Sequence, residues 1–421
     1  MSLALDPVTI LQDADPELHG AIRAEERRQL STLEMIASEN FSSEAVRAAS
    51  GSVFAHKYAE GYPGKRYYHG CGPSDVAETL AIDRLKALFG AEYANVQPHS
   101  GSTANQAVFN AFMNPGDTIL SLSLAHGGHL SHGHGVTMVG KVFKIANYSV
   151  RRDTELIDYD EAARLALEHK PRVVICGGSA YPRLIDFARF REIADSVGAI
   201  LLTDMAHFAG LVAGKAIPSP VPHSDVVTST THKTLRGPRG GLILAKAEHE
   251  KALNKAVFPG LQGGPLVMTI AAKAVAFREA LQPSFARYAA QTIKNAQVVA
   301  EVMAERGLRC VSGGTDTHLV LVDLSSYGVS GKVASEALEH AGVTINMNMI
   351  PYDTRKPTET SGIRIGAPAL TSRGMKESEF RTIANWIADV VKAPDDEALI
   401  RRVRGQVEEL ASGYPLRAEV E

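Results

Sequence analysis

The sequence predicts an α/β protein with a mostly parallel central sheet and a smaller α+β domain at its C-terminal end. From about Val76, helical patterns alternate with short apolar runs bounded by Gly, Asp or Pro, which favours a parallel sheet covered on both faces. A long helical pattern begins at Pro283, and further strands and helices follow it. The length of 421 residues exceeds one average domain. We therefore predict an N-terminal arm at 1–35, a large domain at 36–283 and a small domain at 284–421.

Local patterns predict the elements in order. The charged segment 16–32 is helix-prone and is expected to lie outside the core, and the segment 40–75, rich in Gly and Tyr, is expected to be an ordered loop. The predicted strands are AEYANVQ, DTILSLS, RVVICGG, AILLTD, DVVTST and GGLILAK, followed in the small domain by HLVLVDL and VTINMN. The predicted helices are VAETLAIDRLKALFG, STANQAVFNAFM, RFREIADSVG, PSFARYAAQTIKNAQVVAEVMAERG, GKVASEALEHAG and SEFRTIANWIADVVKA.

Composition excludes several classes of protein. Apolar residues make up 45% and charged residues 22% of the chain, which is typical of a globular protein with a large core. The formal net charge is -3, so bulk electrostatics favour neither a nucleic acid nor an acidic membrane as partner. Cys71, Cys176 and Cys310 are far apart and form no C-x-x-C pair, which predicts a reducing compartment. We recognise no secretory signal or membrane span, and the expected location is the cytoplasm.

Three predicted strand ends carry residues suited to binding or catalysis, and ligands of doubly wound sheets bind at such ends. QPHSGSTAN places Ser100, Gly101 and Ser102 at a helix start, where free N–H groups would hold a phosphate. AILLTD ends in Asp204, which would suit a protonated ring nitrogen of a cofactor. DVVTSTTHK places Lys233 after a strand, where burial would make its amine a nucleophile. Taken singly, these residues have ordinary explanations, because Ser and Asp are common helix caps and most lysines face solvent. The prediction of a cofactor site depends on finding all three strand ends together, in the chain order phosphate site, carboxylate and lysine.

A histidine-rich run, AHGGHLSHGHG, contains His126, His129, His132 and His134. The run invites a metal-site interpretation. Its spacing fits no standard zinc pattern, however, and neither a Cys nor an acid lies within it. We predict no metal site, because a ring stacked on a flat cofactor explains one such histidine as well.

Two further segments contain groups suited to a substrate. Arg364, in TSGIRIGAPAL, would suit a bidentate clamp on a carboxylate, and a surface ion pair is its plainer interpretation. The loop KYAEGYPGKRYYHG contains Tyr58, Tyr67, Tyr68 and the acid Glu60. Their hydroxyls and carboxylate would suit proton transfer, whereas packing within the loop is the plainer interpretation of the tyrosines.

Eight motifs together resemble the serine hydroxymethyltransferase family: TLEMIASENF, HKYAEGYPGKRYYHGC, NVQPHSGSTAN, LAHGGHLSHG, DMAHFAGL, TSTTHKTLRGPRGG, AVFPGLQGGP and TSGIRIGAPA. The resemblance implies fold type I of pyridoxal-phosphate enzymes, related to aspartate aminotransferase. It implies a transferase of one-carbon metabolism and amino-acid biosynthesis, with pyridoxal 5'-phosphate as cofactor and tetrahydrofolate as co-substrate. Such an enzyme moves the hydroxymethyl carbon of serine to tetrahydrofolate and leaves glycine. The resemblance also implies a homodimer, in many members a dimer of dimers, whose active sites are shared across the interface.

The resemblance further implies roles for individual residues. The implied catalytic residues are Lys233 as the Schiff-base lysine, His232 beside it, Asp204 on the ring nitrogen, Glu60 on the serine hydroxyl and Tyr68 as a gate. The implied cofactor contacts are Lys233, Ser100, Gly101, Ser102, His129, Ser179, Asp204, His207 and Arg239, with Tyr58 and Gly264 contributed by the other subunit. The implied substrate contacts are Ser38, Glu60, Tyr68 and Arg364 for the amino acid, and Leu124, Gly128, His129, Leu130 and Asn348 for the pteridine.

Three segments depart from the family pattern. The chain has the residues 69–72, His-Gly-Cys-Gly, where the family usually has Gly-Gly-Cys-Glu, and it has Thr358 and Glu359 where an apolar pair such as Phe-Val is expected. HGHGVTMVGKVFKI also differs from the usual Asn-Phe-Ser-Gly-Lys run. Our hypothesis is that these changes retune the amino-acid or folate preference, for example toward α-methylserine.

Three alternative functions stay open at this point. An α-methylserine hydroxymethyltransferase would yield alanine in place of glycine. A folate-independent threonine or β-hydroxy amino acid aldolase would need the same lysine, carboxylate and arginine without a pteridine site, and the intact YAEGYPG and LAHGGHL motifs weigh against it. A non-catalytic scaffold protein is the third, and the presence of both Lys233 and Arg364 weighs against that one.

Overall fold

The computed structural model describes residues 7–416 of the chain. Its α-helices are α1 Pro7–Ala14, α2 Pro16–Ser31, α3 Glu44–Ser50, α4 Gly72–Phe89, α5 Gly101–Phe112, α6 Met138–Val142, α7 Tyr159–His169, α8 Phe187–Val197, α9 Ala209–Ala213, α10 Glu250–Val257, α11 Val267–Ala280, α12 Pro283–Glu305, α13 Gly331–His340, α14 Pro368–Ser372, α15 Glu377–Lys392 and α16 Glu397–Ser412. Its strands are β1 Leu33–Glu34, β2 Gly61–Tyr62, β3 Lys65–Arg66, β4 Tyr93–Asn95, β5 Thr118–Leu122, β6 Lys144–Tyr148, β7 Val173–Cys176, β8 Ile200–Asp204, β9 Val226–Thr230, β10 Gly241–Ala245, β11 Arg309–Cys310, β12 Leu319–Asp323, β13 Val343–Thr344, β14 Asn346–Asn348 and β15 Gly362–Gly366.

A seven-stranded sheet with the order β4-β10-β9-β8-β7-β5-β6 forms the centre of the molecule. The strands β9, β8, β7, β5 and β6 are all parallel to one another. Only β10 runs against its neighbours β9 and β4. The prediction of a mostly parallel central sheet flanked by helices is therefore confirmed.

Several features differ from the sequence-based expectation: the helices α7, α10, α11 and α16 were not predicted, and three local features differ as well. Strand β10 is antiparallel because only residues 231–240 separate it from β9, and a parallel crossover needs a dozen residues or more. Strand β6 was not predicted; it lies at the sheet edge and alternates between buried and more exposed positions, so it lacks a continuous apolar run. The short helix α3 lies within the segment 40–75, where a loop was expected.

Apolar side chains cover both faces of this sheet. Strands β7, β9 and β10 are buried at every position, as expected of strands sandwiched between helices. Neighbouring residues point to opposite faces, so Val174 packs in one buried cluster while Val173 and Ile175 pack in the other. This double cover holds the strand ends, which carry the polar residues of interest, in one rigid frame.

A second core surrounds the antiparallel four-stranded sheet β11-β12-β15-β14. Its buried side chains come from α12, α13, α15 and α16 and also include Leu33 and Met35 from the N-terminal segment. Helix α2 itself buries no residue, whereas β1 directly after it pairs with β13. The domain limits at 35/36 and 283/284 stay predictions, and residues 1–6 and 417–421 of the predicted end segments lie outside the described part.

The described residues contain no helix that is both long and apolar enough to cross a bilayer. Cys71, Cys176 and Cys310 are buried, and none forms a disulfide. Burial raises the pKa of the Cys176 thiol to about 12, which keeps that thiol in its unreactive protonated form.

Candidate active site

A cleft of about 500 Å³ lies where the parallel strands end and the second core meets the sheet. Strand β8 contributes Asp204 at its last residue, the loop after β9 contributes Lys233, and β15 of the second core contributes Arg364. The predicted site residues that line the cleft are Ser38, Ser100, Gly101, Ser102, Leu124, His129, Leu130, Ser179, Asp204, His207, His232, Lys233, Arg239, Asn348 and Arg364.

Lys233 is held in the cleft by its own backbone contacts. Its carbonyl accepts a hydrogen bond from Asn40 Nδ2 at 3.0 Å, and the next carbonyl, of Thr234, accepts one from the Tyr288 hydroxyl at 3.1 Å. The Lys233 side chain is only 8% exposed. Burial lowers the pKa of Lys233 to about 8; the Asp204 charge counteracts this effect, and Arg364 adds to it. The amine is therefore much closer to its neutral, nucleophilic form than an ordinary lysine is.

Asp204 is ionised and accepts three hydrogen bonds from neighbouring donors, which leaves acceptor capacity on its carboxylate. Its Oδ2 accepts hydrogen bonds from His132 Nε2 and Asn105 Nδ2, both at 2.9 Å, and its Oδ1 accepts one from the Ala206 amide at 3.0 Å. Burial alone would raise the pKa of Asp204, but the hydrogen bond and charge of His132 hold it below the ordinary value. His132 and Asn105 had no role in the sequence-based prediction. The histidine run was a signal for His132, whereas Asn105 is hidden inside an ordinary helical pattern.

His129 forms a second hydrogen-bonded unit beside this carboxylate. Its Nδ1 lies 2.7 Å from Ser131 Oγ and accepts the Ser131 amide at 3.2 Å. The Ser131 hydroxyl also accepts Asn105 Nδ2 at 2.9 Å, so that hydroxyl donates to His129. Burial lowers the pKa of His129 to about 4. The ring is therefore neutral and carries its proton on Nε2, and it lines the cleft.

His129, His132 and Asp204 also place three metal-type ligand atoms within 4.8 Å of one another. His132 Nε2 and Asp204 Oδ2 already share a hydrogen bond at 2.9 Å. A metal ion would have to displace this bond, so the geometry favours a hydrogen-bonded carboxylate over a metal centre.

The segment Ser100–Ser102 begins helix α5 at the edge of the cleft. Ser100 is the N-cap of α5, and its Oγ accepts a hydrogen bond from the Thr103 amide at 3.1 Å. Ser100 therefore both caps the helix and lines the cleft. A Cβ atom at Gly101 would lie 2.8 Å from Thr230 Cγ2, which explains the glycine. The positive end of this helix dipole faces the cleft and suits an anion.

Arg364 is a buried cation whose donors meet only neutral groups. Its Nε donates to Asn346 Oδ1 at 3.2 Å, and its Nη1 donates to the Ser179 carbonyl. The side chain is only 8% exposed, and burial lowers its pKa to about 10 with no acid within residues 7–416 to counteract it. The alternative interpretation as a surface ion pair is therefore wrong, and the guanidinium is suited to an anionic ligand.

Other predicted residues occupy the cleft wall. His207 Nδ1 lies 3.4 Å from Nε2 of the buried His318, a partner that the sequence did not indicate, and burial holds the pKa of His207 well below its ordinary value. Burial and Arg239 lower the pKa of His232 to about 3. Gly128 does not line the cleft but stands behind it, where its carbonyl accepts the Ser179 hydroxyl at 2.8 Å.

Four predicted residues form a separate group outside this cleft. The rings of Tyr58 and Tyr68 meet edge to face with centroids 5.2 Å apart, and a Cβ atom at Gly264 would lie 3.1 Å from the Tyr58 ring. Tyr58 is 56% and Tyr68 48% exposed. Glu60 lies beside the same glycine segment, because a Cβ atom at Gly263 would be 3.4 Å from its Oε1. One chain therefore brings the predicted residues together in two groups.

A buried ion-pair network fixes the loop that carries this second group. Arg66 donates to the carbonyls of Ala59 and Gly61 on either side of Glu60, at 2.9 and 2.8 Å. The same guanidinium pairs with Glu78 at 2.6 Å, and both side chains are nearly fully buried. The exposed tyrosines and Glu60 thus stand on a rigid base.

Two of the three segments that depart from the family pattern, residues 69–72 and the pair Thr358 and Glu359, do not line the cleft, whereas the third begins at His132, which does. The His69 carbonyl accepts Lys57 Nζ at 3.0 Å, and Cys71 is the N-cap of α4. Thr358 and Glu359 are exposed, and the Glu359 carbonyl accepts the Lys332 amide at 3.0 Å. Polar residues suit positions 358 and 359, which face solvent, whereas Cys71 is buried.

Comparison with known proteins gives one consistent result. The family model described as serine hydroxymethyltransferase matches residues 11–387. The chain is 60% identical over 409 residues to a serine hydroxymethyltransferase of Koribacter versatilis, covering 97% of this chain and 96% of the relative. It is 60% identical to one of Acidobacterium capsulatum, covering 96% and 95%, and 56% identical to one of Myxococcus xanthus, covering 98% and 99%.

We expect Lys233 to react with a small aldehyde half-maximally near pH 8, whereas an ordinary lysine has a pKa of 10.5, because only the neutral amine attacks. The Asp204→Asn variant should move this midpoint to lower pH, since Asp204 favours the ammonium form, and Arg364→Leu should move it to higher pH. Reductive methylation followed over pH by peptide mass spectrometry measures the midpoint, with the exposed Lys294 as internal reference. A wild-type midpoint near the ordinary lysine value of 10.5, or shifts of the same sign in both variants, would contradict the assigned electrostatics.

Proposed function

This chain belongs to the serine hydroxymethyltransferase family, and we propose that it transfers the hydroxymethyl carbon of serine reversibly to tetrahydrofolate, giving glycine and 5,10-methylenetetrahydrofolate. Enzymes of this family use pyridoxal 5'-phosphate as cofactor and tetrahydrofolate as co-substrate. The observation that carries the proposal is the placement of Lys233, Asp204 and Arg364 around one cleft. The names of the similar relatives favour neither the aldolase nor the α-methylserine alternative.

The side chains of the cleft fit pyridoxal phosphate. Lys233 offers a buried amine of lowered pKa to the aldehyde, and the ionised Asp204 offers an acceptor to a protonated ring nitrogen. The start of α5, with Ser100 and Ser102, offers N–H groups and hydroxyls to the phosphate. When bound, the cofactor supplies an electron sink for the charge left by cleavage of the Cα–Cβ bond of serine. Because these residues fit the cofactor and lie at the ends of a mostly parallel sheet, we assign the chain to fold type I of pyridoxal-phosphate enzymes.

The remaining residues of the cleft wall orient the ligands. The neutral face of His129 suits stacking on the cofactor ring, and His207, Ser179 and Arg239 suit its polar edge. The low pKa values of His207 and His232 keep both imidazoles neutral. They therefore add no charge that would compete with the cationic groups for anions.

Arg364 and Ser38 suit the carboxylate of the amino acid. The guanidinium is buried without an acidic partner among the described residues, so a substrate carboxylate would supply the charge it lacks. Leu124, Leu130 and Asn348 line the outer cleft, where we place the pteridine. Holding both substrates in one cleft would bring the one-carbon unit next to its acceptor.

The second residue group supports an active site shared between two copies of the chain. Tyr58, Tyr68, Glu60 and Gly264 do not reach the cleft of their own chain, and the two tyrosines expose large aromatic surfaces. In a twofold dimer, each copy would present this group to the cleft of its partner. Glu60 would then take and return the proton of the serine hydroxyl. A cytoplasmic location completes the proposal and agrees with the three free, buried thiols.

Arg364→Ala should raise the KM for serine on the order of 100-fold, because a buried carboxylate would lose a bidentate charged partner. Steady-state kinetics over serine concentration measure the effect. Arg402→Ala, which removes an exposed arginine of α16, is the matched control and should leave the KM unchanged. An unaltered KM in Arg364→Ala would disprove the clamp.

Mixing two inactive variants tests whether the sites are shared. Lys233→Ala and Glu60→Gln should each be inactive as homodimers. After dissociation and random reassociation, half of the dimers would be mixed, and each would hold one intact site, so about a quarter of the wild-type activity should return. If activity stays absent although mixed dimers are demonstrated by mass, Lys233 and Glu60 act within the same chain. An active Glu60→Gln homodimer would show that Glu60 has no such role.

A further inference from the structure

A buried lysine that the proposed mechanism does not use lies beneath the start of α5. Lys273 belongs to helix α11 and is only 1% exposed. Its aliphatic stem and ammonium pass below Gly240, where a Cβ atom would lie 2.5 Å from Lys273 Cε. Such a position is unusual, because a buried ammonium is costly unless its donors and its charge are satisfied.

The ammonium donates to three backbone carbonyls. Lys273 Nζ lies 2.6 Å from the Val96 oxygen, 3.1 Å from the Pro98 oxygen and 2.7 Å from the Gly241 oxygen. A lysine ammonium has three N–H donors, so all of them are used. The contacts join the segment that follows β4 to the first residue of β10.

The charge of this ammonium is not neutralised by a contacting acid. The acid that acts on it is Glu78, and burial outweighs that effect and lowers the pKa of Lys273 to about 7. Glu78 is itself paired with Arg66 at 2.6 Å. Within residues 7–416, Lys273 therefore has carbonyl dipoles but no carboxylate as contacts, and an additional anion nearby would favour its charged form.

The three carbonyls belong to the backbone that shapes the start of α5. Pro98 stands two residues before Ser100, and its oxygen also accepts the Gly241 amide at 3.0 Å. Gly241 packs directly on the peptide between Ser100 and Gly101, because a Cβ atom there would lie 2.2 Å from the Ser100 oxygen and 3.0 Å from the Gly101 nitrogen. Moving the ammonium would therefore move the peptide at which the helix begins.

We propose that Lys273 is a positioning residue for the phosphate group of the cofactor. Its ammonium locks the backbone before Ser100 onto β10 and places a buried positive charge behind the N-terminus of α5. Both effects favour a dianion at that end: the first fixes the donors in place, and the second adds to the helix dipole in a region of low dielectric. This inference rests on the proposed function, since it requires the phosphate to bind at Ser100–Ser102.

Two neutral variants separate the charge from the hydrogen bonds. Lys273→Met removes both, whereas Lys273→Gln removes the charge and keeps two N–H donors. Cofactor-free, full-length protein is titrated with pyridoxal phosphate and, separately, with pyridoxal, which lacks the phosphate. Lys294→Met, at an exposed position of α12, is the control for loss of one lysine and should match the wild type.

We expect Lys273→Met and Lys273→Gln to weaken binding of pyridoxal phosphate about tenfold or more, with the larger loss in Lys273→Met, and binding of pyridoxal less than about threefold. Equal losses for both ligands, or no loss for either, would overturn the inference. If Lys273→Met does not fold, the same comparison in Lys273→Gln decides. A wild-type protein that binds pyridoxal but gains nothing from the phosphate refutes the inference alone, whereas one that binds neither ligand refutes the proposed function and, with it, the inference.

Discussion

An imbalance of buried charge governs this molecule: two cations, Lys233 and Arg364, face a single buried carboxylate, Asp204. Both cations are only 8% exposed, and the donors around Asp204 hold its pKa low. His129 and His232 add no charge to this balance, since burial lowers the pKa of His129 to about 4 and of His232 to about 3. A cleft with surplus positive charge is stable only with anions in reach. A cofactor phosphate and a substrate carboxylate meet that requirement.

This charge imbalance arises because the cleft lies between the central sheet and the second core. Strands β8 and β9 are parallel neighbours with Asp204 opposite Thr228, so the carboxylate and the loop that carries Lys233 must emerge at the same edge. Arg364 comes from the other core, on β15. The two cores are tied together beside the cleft by Arg183, which donates to Asp316 at 2.9 Å and to the Ser312 backbone. The distance between the amine and the guanidinium is thus set by tertiary packing and not by the local chain.

Much of the site could be predicted from sequence because its main residues follow apolar runs that read clearly as strands. Ser100 and Lys233 follow such runs, Asp204 ends one, and Arg364 lies in a further strand-like run of the second domain. The histidine-rich run indicated His132, but the roles of His132, Asn105 and His318 could not be predicted, because they depend on which helix packs against which strand end. The sequence also did not show that Glu60 and Tyr68 lie outside the cleft of their own chain. Residues that are close together in a motif can still face different clefts. Strand β6 was missed because it lies at the sheet edge and lacks a continuous apolar run. The strand β10 was predicted without a direction, and its antiparallel direction follows from the short connection 231–240.

The most direct test of this account is the site of covalent cofactor attachment. Full-length protein saturated with pyridoxal 5'-phosphate is reduced with borohydride, digested and examined by peptide mass spectrometry for lysines that carry a pyridoxyl group. We predict the label on Lys233, and we predict none on Lys273, whose amine is buried and occupied by three carbonyls. A protein that stays colourless with added cofactor, or a label on any lysine other than Lys233, would contradict the central claim.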